Sequence, residues 1–227
     1  MVDLVEVTDQ DGEAQIAGDN DDHHDLKAYR AQYSPVVHLP RDYEVFDLTG
    51  AYDPNRNLQT DFGIGKYNEK RPRVYNQDLF LPDKRDDDLN HRHIHMGIDI
   101  AAPVGTDVHA FYDGVVYCRA RHAKSGDYGP TIILQHQLGS TRLWSLYGHL
   151  SAKSLSKVST GQVVKSGEVL GWIGNKEENG GWNPHVHFQL SYMQPQGCDL
   201  PGAVSQRELA EALQIYPDPR LVLGELY

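Results

Sequence analysis

Two short stretches carry the side chains best suited to chemistry: His95-Met96-Gly97-Ile98-Asp99 and, about ninety residues later, His185-Val186-His187. In an extended chain alternate side chains share a face, so His95, Gly97 and Asp99 point one way. Ile94, Met96, Ile98 and Ile100 then form an apolar stripe on the other side. The second stretch repeats the pattern, with His185, His187 and Gln189 opposite Val186, Phe188 and Leu190. This predicts two strands, each buried on one side and offering imidazoles and a carboxylate on the other. A catalytic zinc ion takes three protein ligands of this type and keeps a fourth position for water or substrate. His95, Asp99 and one imidazole of the His185/His187 pair meet that requirement. Zinc polarises a carbonyl and acidifies its water, so an amide can be hydrolysed without an activated serine.

Such a site also needs a group that moves protons and steadies the developing oxyanion. No His-Glu-x-x-His sequence supplies a glutamate. The candidates are the other imidazole of the pair and His149, in Leu146-Tyr147-Gly148-His149-Leu150. Tyr67 and Tyr75, upstream, are candidate oxyanion donors. His91-x-His93-x-His95 offers a rival metal set on one strand face, but it leaves Asp99 without a role, so His91 and His93 are read as a loop leading into the strand. His136 reads as a core or supporting residue, Trp144 and Tyr147 as packing. Trp182 and Asn183 read as groove or turn residues.

The elements that must position these groups are short. Asp113-Gly114 between Val108-His109-Ala110-Phe111 and Val115-Val116-Tyr117-Cys118 is a hairpin signal. Further strands are expected at Thr131–His136 and Thr141–Tyr147, and glycines at 161, 167, 171 and 174 suit tight reversals among buried β-branched residues. Ser205-Gln206-Arg207-Glu208 is a capping box before an apolar stripe of Leu209, Ala212, Leu213 and Tyr216, with Pro217 as the stop. The expected fold is mainly β, an antiparallel domain with a C-terminal helix. Three segments are expected: an acidic tail and short helix over 1–33, an irregular wrap over 34–90, and the domain proper over 91–227. Nine acids and no Lys or Arg fall within residues 1–25. Gly63-Ile64-Gly65 in the wrap marks a turn or a close backbone approach.

A net charge of −11 argues against nucleic acid or an anionic membrane as partner, and no apolar run reaches the length of a membrane span. Met1–Gln10 lacks the features of a signal peptide. The two cysteines, Cys118 and Cys198, are too few for a disulfide framework and are read as idle thiols in a reducing compartment. A cytoplasmic address is therefore expected.

Taken in order, His95-x-x-x-Asp99, Tyr147-x-His149-Leu150 and His185-x-His187-Phe188 closely resemble the lysostaphin-type zinc endopeptidases. Ala101-Ala102-Pro103-Val104-Gly105-Thr106 and Gly161-x-x-Val164-x-x-Gly167-x-x-Leu170-Gly171 agree with the same family. The resemblance covers about residues 91–195. It implies a β-sandwich or barrel-like core of the duplicated hybrid motif kind, with an open groove and one zinc ion per chain. It also implies that His95, Asp99 and His187 are the metal ligands and that His149 and His185 are the catalytic imidazoles. The implied substrate is a peptide or related amide, with bacterial cell-wall peptides as the family's usual targets. Glu178-Asn179-Gly180-Gly181-Trp182-Asn183-Pro184, Pro217-Asp218-Pro219 and Gly63–Glu69 are similar to one branch of the family. That branch occurs as a module between a kinase-like phosphotransferase and a class III aminotransferase in large bacterial proteins. Rival readings are a hydrolase of a small cytoplasmic amide, a module that keeps the metal without turnover, and a histidine phosphocarrier, which needs no Asp99.

Overall fold

In the computed structural model the described residues are 26–50, 60–81 and 89–227. The acidic tail with His23 and His24 lies outside them. Leu26–Ala28 forms a helical turn that runs into a 3-10 turn at Arg30–Gln32, with the Tyr33 hydroxyl donating to the Leu26 carbonyl.

Twelve strands follow among the described residues: β1 (Glu44–Val45), β2 (Gly63–Gly65), β3 (Ile94–His95), β4 (Ile98–Ala101), β5 (Asp107–His109), β6 (Gly114–His122), β7 (Gly129–Leu138), β8 (Thr141–Gly148), β9 (Val163–Val164), β10 (Val169–Trp172), β11 (His185–Ser191) and β12 (Ala203–Val204). Two short helices close the chain, α1 (Leu209–Ile215) and α2 (Arg220–Leu223). Eight strands form the main sheet in the order β1-β2-β4-β11-β8-β7-β6-β9, and β10-β5 and β12-β3 form two-stranded ribbons. The pairs are antiparallel apart from β1 with β2, which is parallel. None of the described helices is long and apolar enough to cross a membrane.

The main sheet is covered on both faces, which explains why Ile132-Ile133-Leu134 is an unbroken apolar run in β7. Ile132 and Leu134 face one cluster with Ile98, Ile100, Val186, Phe188 and Leu190, covered by Val108 and Leu170 of the β5–β10 ribbon. Ile133 faces the other cluster with Trp144, Leu146, Val204, Ala212 and Tyr216, so α1 and β12 cover that side. The capping box forms as expected, Ser205 N–H donating to Glu208 Oε2 at 2.8 Å and Glu208 N–H to Ser205 Oγ at 3.4 Å.

Three sequence expectations change. The apolar stripe at 94–100 is not one face: Ile94 and Met96 join the α1 side, Ile98 and Ile100 the opposite side. The strand breaks at Gly97, because β3 leaves the main sheet to pair with β12. The Asp113-Gly114 hairpin does not form either. β5 pairs with β10, and Asp113 instead takes Ser166 N–H and Lys165 Nζ, so the pair makes a corner between sheets. Finally, Cys118 and Cys198 are not idle thiols but form a disulfide across 80 residues. Cys118 on β6 faces the cluster that the segment after β11 folds over, and this returns Cys198 to it.

Candidate metal centre

The β2-β4-β11-β8 order sets a row of directly opposed residues, Gly65, Asp99, His187 and Gly148. Asp99 and His187 are cross-strand neighbours on the α1 side of the sheet. The break at Gly97 turns β3 so that His95 comes in above them. A Cβ on Gly97 would lie 2.5 Å from His187 Cε1 and 2.8 Å from the Phe188 carbonyl, so only glycine lets the His187 ring rest there.

His95, Asp99 and His187 each offer one ligand atom, all within 4.8 Å of one another. His95 Nε2 lies 2.9 Å from His187 Nδ1, and each of these nitrogens lies 3.1 Å from Asp99 Oδ1. The other ring atoms are already engaged. His95 Nδ1–H donates to the Lys66 carbonyl at 2.9 Å, and His187 Nε2–H donates to Gln189 Oε1 at 3.0 Å. Gln189 is held in turn by its Nε2 on the Pro201 carbonyl, 3.2 Å away, which fixes which amide atom faces His187. These partners assign the tautomers. Two imidazole lone pairs and a carboxylate oxygen thus converge on one buried point with no proton of their own to share. A cation resolves that arrangement. Tetrahedral zinc with bonds near 2 Å spaces its ligand atoms about 3.3 Å apart, a few tenths wider than seen here, so the donor set fits the ion.

The electrostatics agree. Burial pulls the His95 imidazole down to about 4, with Arg71 adding to the effect. Burial alone would raise the Asp99 carboxyl, but His95 and Arg71 hold it well below the usual carboxylate range. The site therefore presents a neutral His95 imidazole and an ionised Asp99 carboxylate.

His149 and His185 stand beside this point. His149 follows β8 at φ 61°, in the left-handed region that non-glycine residues rarely adopt. Its ring centroid is 4.4 Å from that of His185 and 6.2 Å from that of His187. His149 Nδ1–H donates to the Asn179 carbonyl at 2.9 Å and His185 Nδ1–H to the Asn183 carbonyl at 2.6 Å, leaving both Nε2 atoms without a proton. His185 Nε2 is 3.6 Å from Asp99 Oδ1. Burial lowers the pKa of both rings, and for His149 the neighbouring His185 and His187 lower it further. Asp99, His149, His185 and His187 line a cavity of about 580 Å³, walled also by Phe46, Leu48, Tyr75, Phe80, Trp182 and Leu200, and His95 joins them through its contacts with His187 and Asp99.

Other candidates separate cleanly. Tyr75 lines the cavity, its hydroxyl 3.3 Å from Arg71 Nη1, whereas the Tyr67 hydroxyl is spent on the Tyr216 carbonyl. His91 turns to the Tyr75 carbonyl, and the His91-x-His93 pair does not join the ligand group among the described residues. His136 is bonded to the Asp113 carbonyl and Ser145 Oγ, well inside the core. Tyr147 packs in the main cluster and Trp144 beneath α1. Gln189, Asn179, Lys66 and Arg71 were not among the sequence candidates for the site. For Gln189 a signal existed, since it shares the His185/His187 face; the other three act through backbone carbonyls or from the wrap, which no spacing reveals.

Residues 93–198 match the model of peptidase family M23. That segment contains all five histidine and aspartate residues of the site. Over that segment the chain is similar to that family. The DD-carboxypeptidase/endopeptidase Mpg of Neisseria meningitidis is 38% identical over 96 residues, 42% of this chain and 20% of that protein. An uncharacterized metalloprotease of Haemophilus influenzae is 31% identical over 177 residues, 76% of this chain and 35% of that protein. The chain thus spans from about a fifth to about a third of the length of these relatives. A solved catalytic domain of the prophage-encoded protein EnpA from Enterococcus faecalis is 24% identical, covering 66% of this chain and 92% of that one, with a TM-score of 0.41.

Proposed function

We propose that the chain is a zinc-dependent hydrolase of lysostaphin type that cleaves a peptide or related amide bond. In this reading His95, Asp99 and His187 hold one zinc ion, and His149 and His185 move the proton. The observation that carries it is the meeting of two imidazole lone pairs with Asp99 Oδ1, beside two further unprotonated Nε2 atoms. Zinc bound there supplies a Lewis acid for the amide carbonyl and a water acidic enough to attack near neutral pH. The chain supplies the rest. With Nδ1–H of each ring fixed on a backbone carbonyl, the Nε2 of His149 or His185 takes a proton from the attacking water and, once charged, gives it to the leaving nitrogen. Their burial keeps both rings neutral at rest, as a base must be.

A cell-wall peptide is the proposed substrate class, supported by the name of a further relative, the peptidoglycan DD-endopeptidase ShyA of Vibrio cholerae, 38% identical over 96 residues, 42% of this chain and 20% of that protein. The described parts of residues 34–90 are proposed to belong to the catalytic unit of 91–227, since β2 completes the sheet beside Asp99. The Cys118–Cys198 disulfide supports an oxidising compartment in place of the cytoplasmic address expected from the sequence. Within the family, Gly63–Glu69 and Glu178–His185 support the branch found between a phosphotransferase and an aminotransferase.

Elemental analysis of the purified protein tests the metal, and hydrolysis of wall peptides, glycine-rich peptides and small amides tests the reaction. About one zinc per chain is expected, lost in Asp99→Ala and His187→Ala. His149→Ala is expected to keep zinc and lose most turnover. Absence of metal after zinc is supplied leaves a β-scaffold binding module as the better account; full activity in His149→Ala removes its assigned role.

A further inference from the structure

Arg71 is among the most deeply buried side chains of the molecule, 2% exposed, and it lies outside the segment that matches the family model. Each nitrogen of its guanidinium has an acceptor. Nη1 donates to Asp99 Oδ2 at 2.6 Å and to the Tyr75 hydroxyl at 3.3 Å, Nε to Glu69 Oε2 at 2.9 Å, and Nη2 to the Lys66 carbonyl at 3.1 Å. Glu69, itself buried, takes Leu48 N–H at 3.2 Å and Lys66 Nζ at 3.3 Å on its other oxygen. The backbone brings these residues into place: Asn68 N–H donates to the His95 carbonyl, His95 N–H to the Glu69 carbonyl and Arg71 N–H to the His93 carbonyl. The wrap is therefore zipped onto β3, and the Lys66 carbonyl serves both His95 and Arg71. Gly65, opposite Asp99, keeps the path open. A Cβ there would lie 2.8 Å from Arg71 Nη2 and 3.0 Å from Asp99 Oδ2.

We propose that Glu69 and Arg71 form a fixed ionic strut that holds Asp99 as a single-oxygen ligand, making Arg71 a positioning residue of the metal centre. The inference rests on the zinc reading above. Arg71 occupies Oδ2 with a short charge-assisted bond, so only Oδ1 faces His95 and His187. A carboxylate held by one oxygen cannot swing to chelate through both, and the fourth position stays with water or substrate. Arginine suits this role because its planar fork fixes direction as well as charge, which a lysine ammonium does not. An ion pair that merely stabilised the wrap would have no reason to end on a ligand oxygen, nor to need a glycine on the neighbouring strand.

The test replaces zinc with cobalt(II) in wild type, Arg71→Met, Arg71→Lys and the double variant Glu69→Gln/Arg71→Met. The double variant removes both buried charges and so guards against misfolding from an orphaned Glu69. Metal per chain is expected to stay near one in all of them. In Arg71→Met and the double variant the visible cobalt bands are expected to weaken as Asp99 turns bidentate and coordination rises. Turnover is expected to fall about 10–100-fold, the usual effect of losing an outer partner of a metal ligand, with KM within about twofold. Arg71→Lys is expected to recover part of the turnover. Gly65→Ala, which displaces the guanidinium without removing it, is expected to reproduce the cobalt spectrum of Arg71→Met. Wild-type spectra and turnover in both Met variants overturn the strut while leaving the zinc reading intact. Joint loss of metal and cooperative unfolding in every variant assigns Arg71 to stability alone and also overturns it. A wild type that binds no metal sinks both readings.

Discussion

Replacing Gln189 with methionine is expected to weaken zinc binding by about 10–100-fold without unfolding the protein. Gln189 is fully buried, and its amide is pinned by the Pro201 carbonyl so that Oε1 accepts His187 Nε2–H at 3.0 Å. Methionine fills a similar volume with little repacking cost but offers no comparable acceptor. The loss has two parts. One hydrogen bond worth about 1 kcal/mol disappears. The imidazole proton is then free to move to Nδ1, where Asp99 Oδ1 waits 3.1 Å away. That tautomer closes the site on itself, and a metal must break a bond to enter. A tenfold to hundredfold loss corresponds to about 1.4–2.7 kcal/mol, which the two parts together account for. Competition against a chromogenic chelator measures the affinity, and thermal melting in EDTA verifies the fold. Gln189→Glu, which keeps an acceptor and makes it stronger, is expected to bind zinc at least as tightly as wild type. Equal zinc affinity in wild type and a normally folded Gln189→Met refutes the reasoning, because it shows that His187 needs no partner to present Nδ1.

Gly97→Ala is expected to abolish stoichiometric zinc, since its Cβ meets the His187 ring and the Phe188 carbonyl; the overpacking also costs about 1–3 kcal/mol. Elemental analysis and a melting curve check both, and a fully metallated Ala variant contradicts the close-approach argument. Removing both cysteines opens a crosslink spanning 80 residues and is expected to cost about 2–5 kcal/mol, read as a lower urea midpoint; an unchanged midpoint refutes it. His136 supplies the pH dependence. Burial lowers its pKa from 6.5 to about 4, so the unfolded chain binds the proton more readily. Stability is therefore full above pH 6.5 and is lost as pH falls toward 4, by up to about 3 kcal/mol. In urea titrations of metal-free protein the stability gap between wild type and His136→Gln is expected to shrink with acid; a gap constant with pH refutes the assignment.

The candidate site residues are legible because their geometry is local. The His185-Val186-His187 alternation directly encodes which side chains share a face of β11, and Asp99 follows from the same period on β4. The alternation misled at Ile94–Ile100, where period two holds within each strand but cannot show that the chain changes sheets at Gly97. The hairpin at Asp113-Gly114 failed for a related reason. Turn chemistry says that the chain reverses, not which edge it meets, and β10 outcompeted β6 for β5. The disulfide was illegible because a spacing of 80 residues carries no period at all.

The support of the site divides the same way. Gln189 shares the face of His187 two residues on, and a rule that each ligand imidazole needs an acceptor for its second nitrogen finds it. Lys66, Asn179 and Asn183 act through their carbonyls, so their side chains say nothing about the role. Arg71 is the instructive case. By itself an arginine in an irregular, charged stretch reads as surface, and burying one is costly unless every donor is matched. What reveals it is the row Gly65-Asp99-His187-Gly148. Each outer glycine makes room for a bulky side chain, Arg71 over Gly65 and Tyr128 over Gly148, and each of those side chains abuts one member of the metal centre. Glycines flanking two proposed ligands on neighbouring strands therefore mark where outer residues come in, and in this chain one of those residues comes from the wrap. A methyl group at Gly65 would press on Arg71 Nη2 and Asp99 Oδ2 at once, so that position reports directly on the contact by which the wrap reaches Asp99.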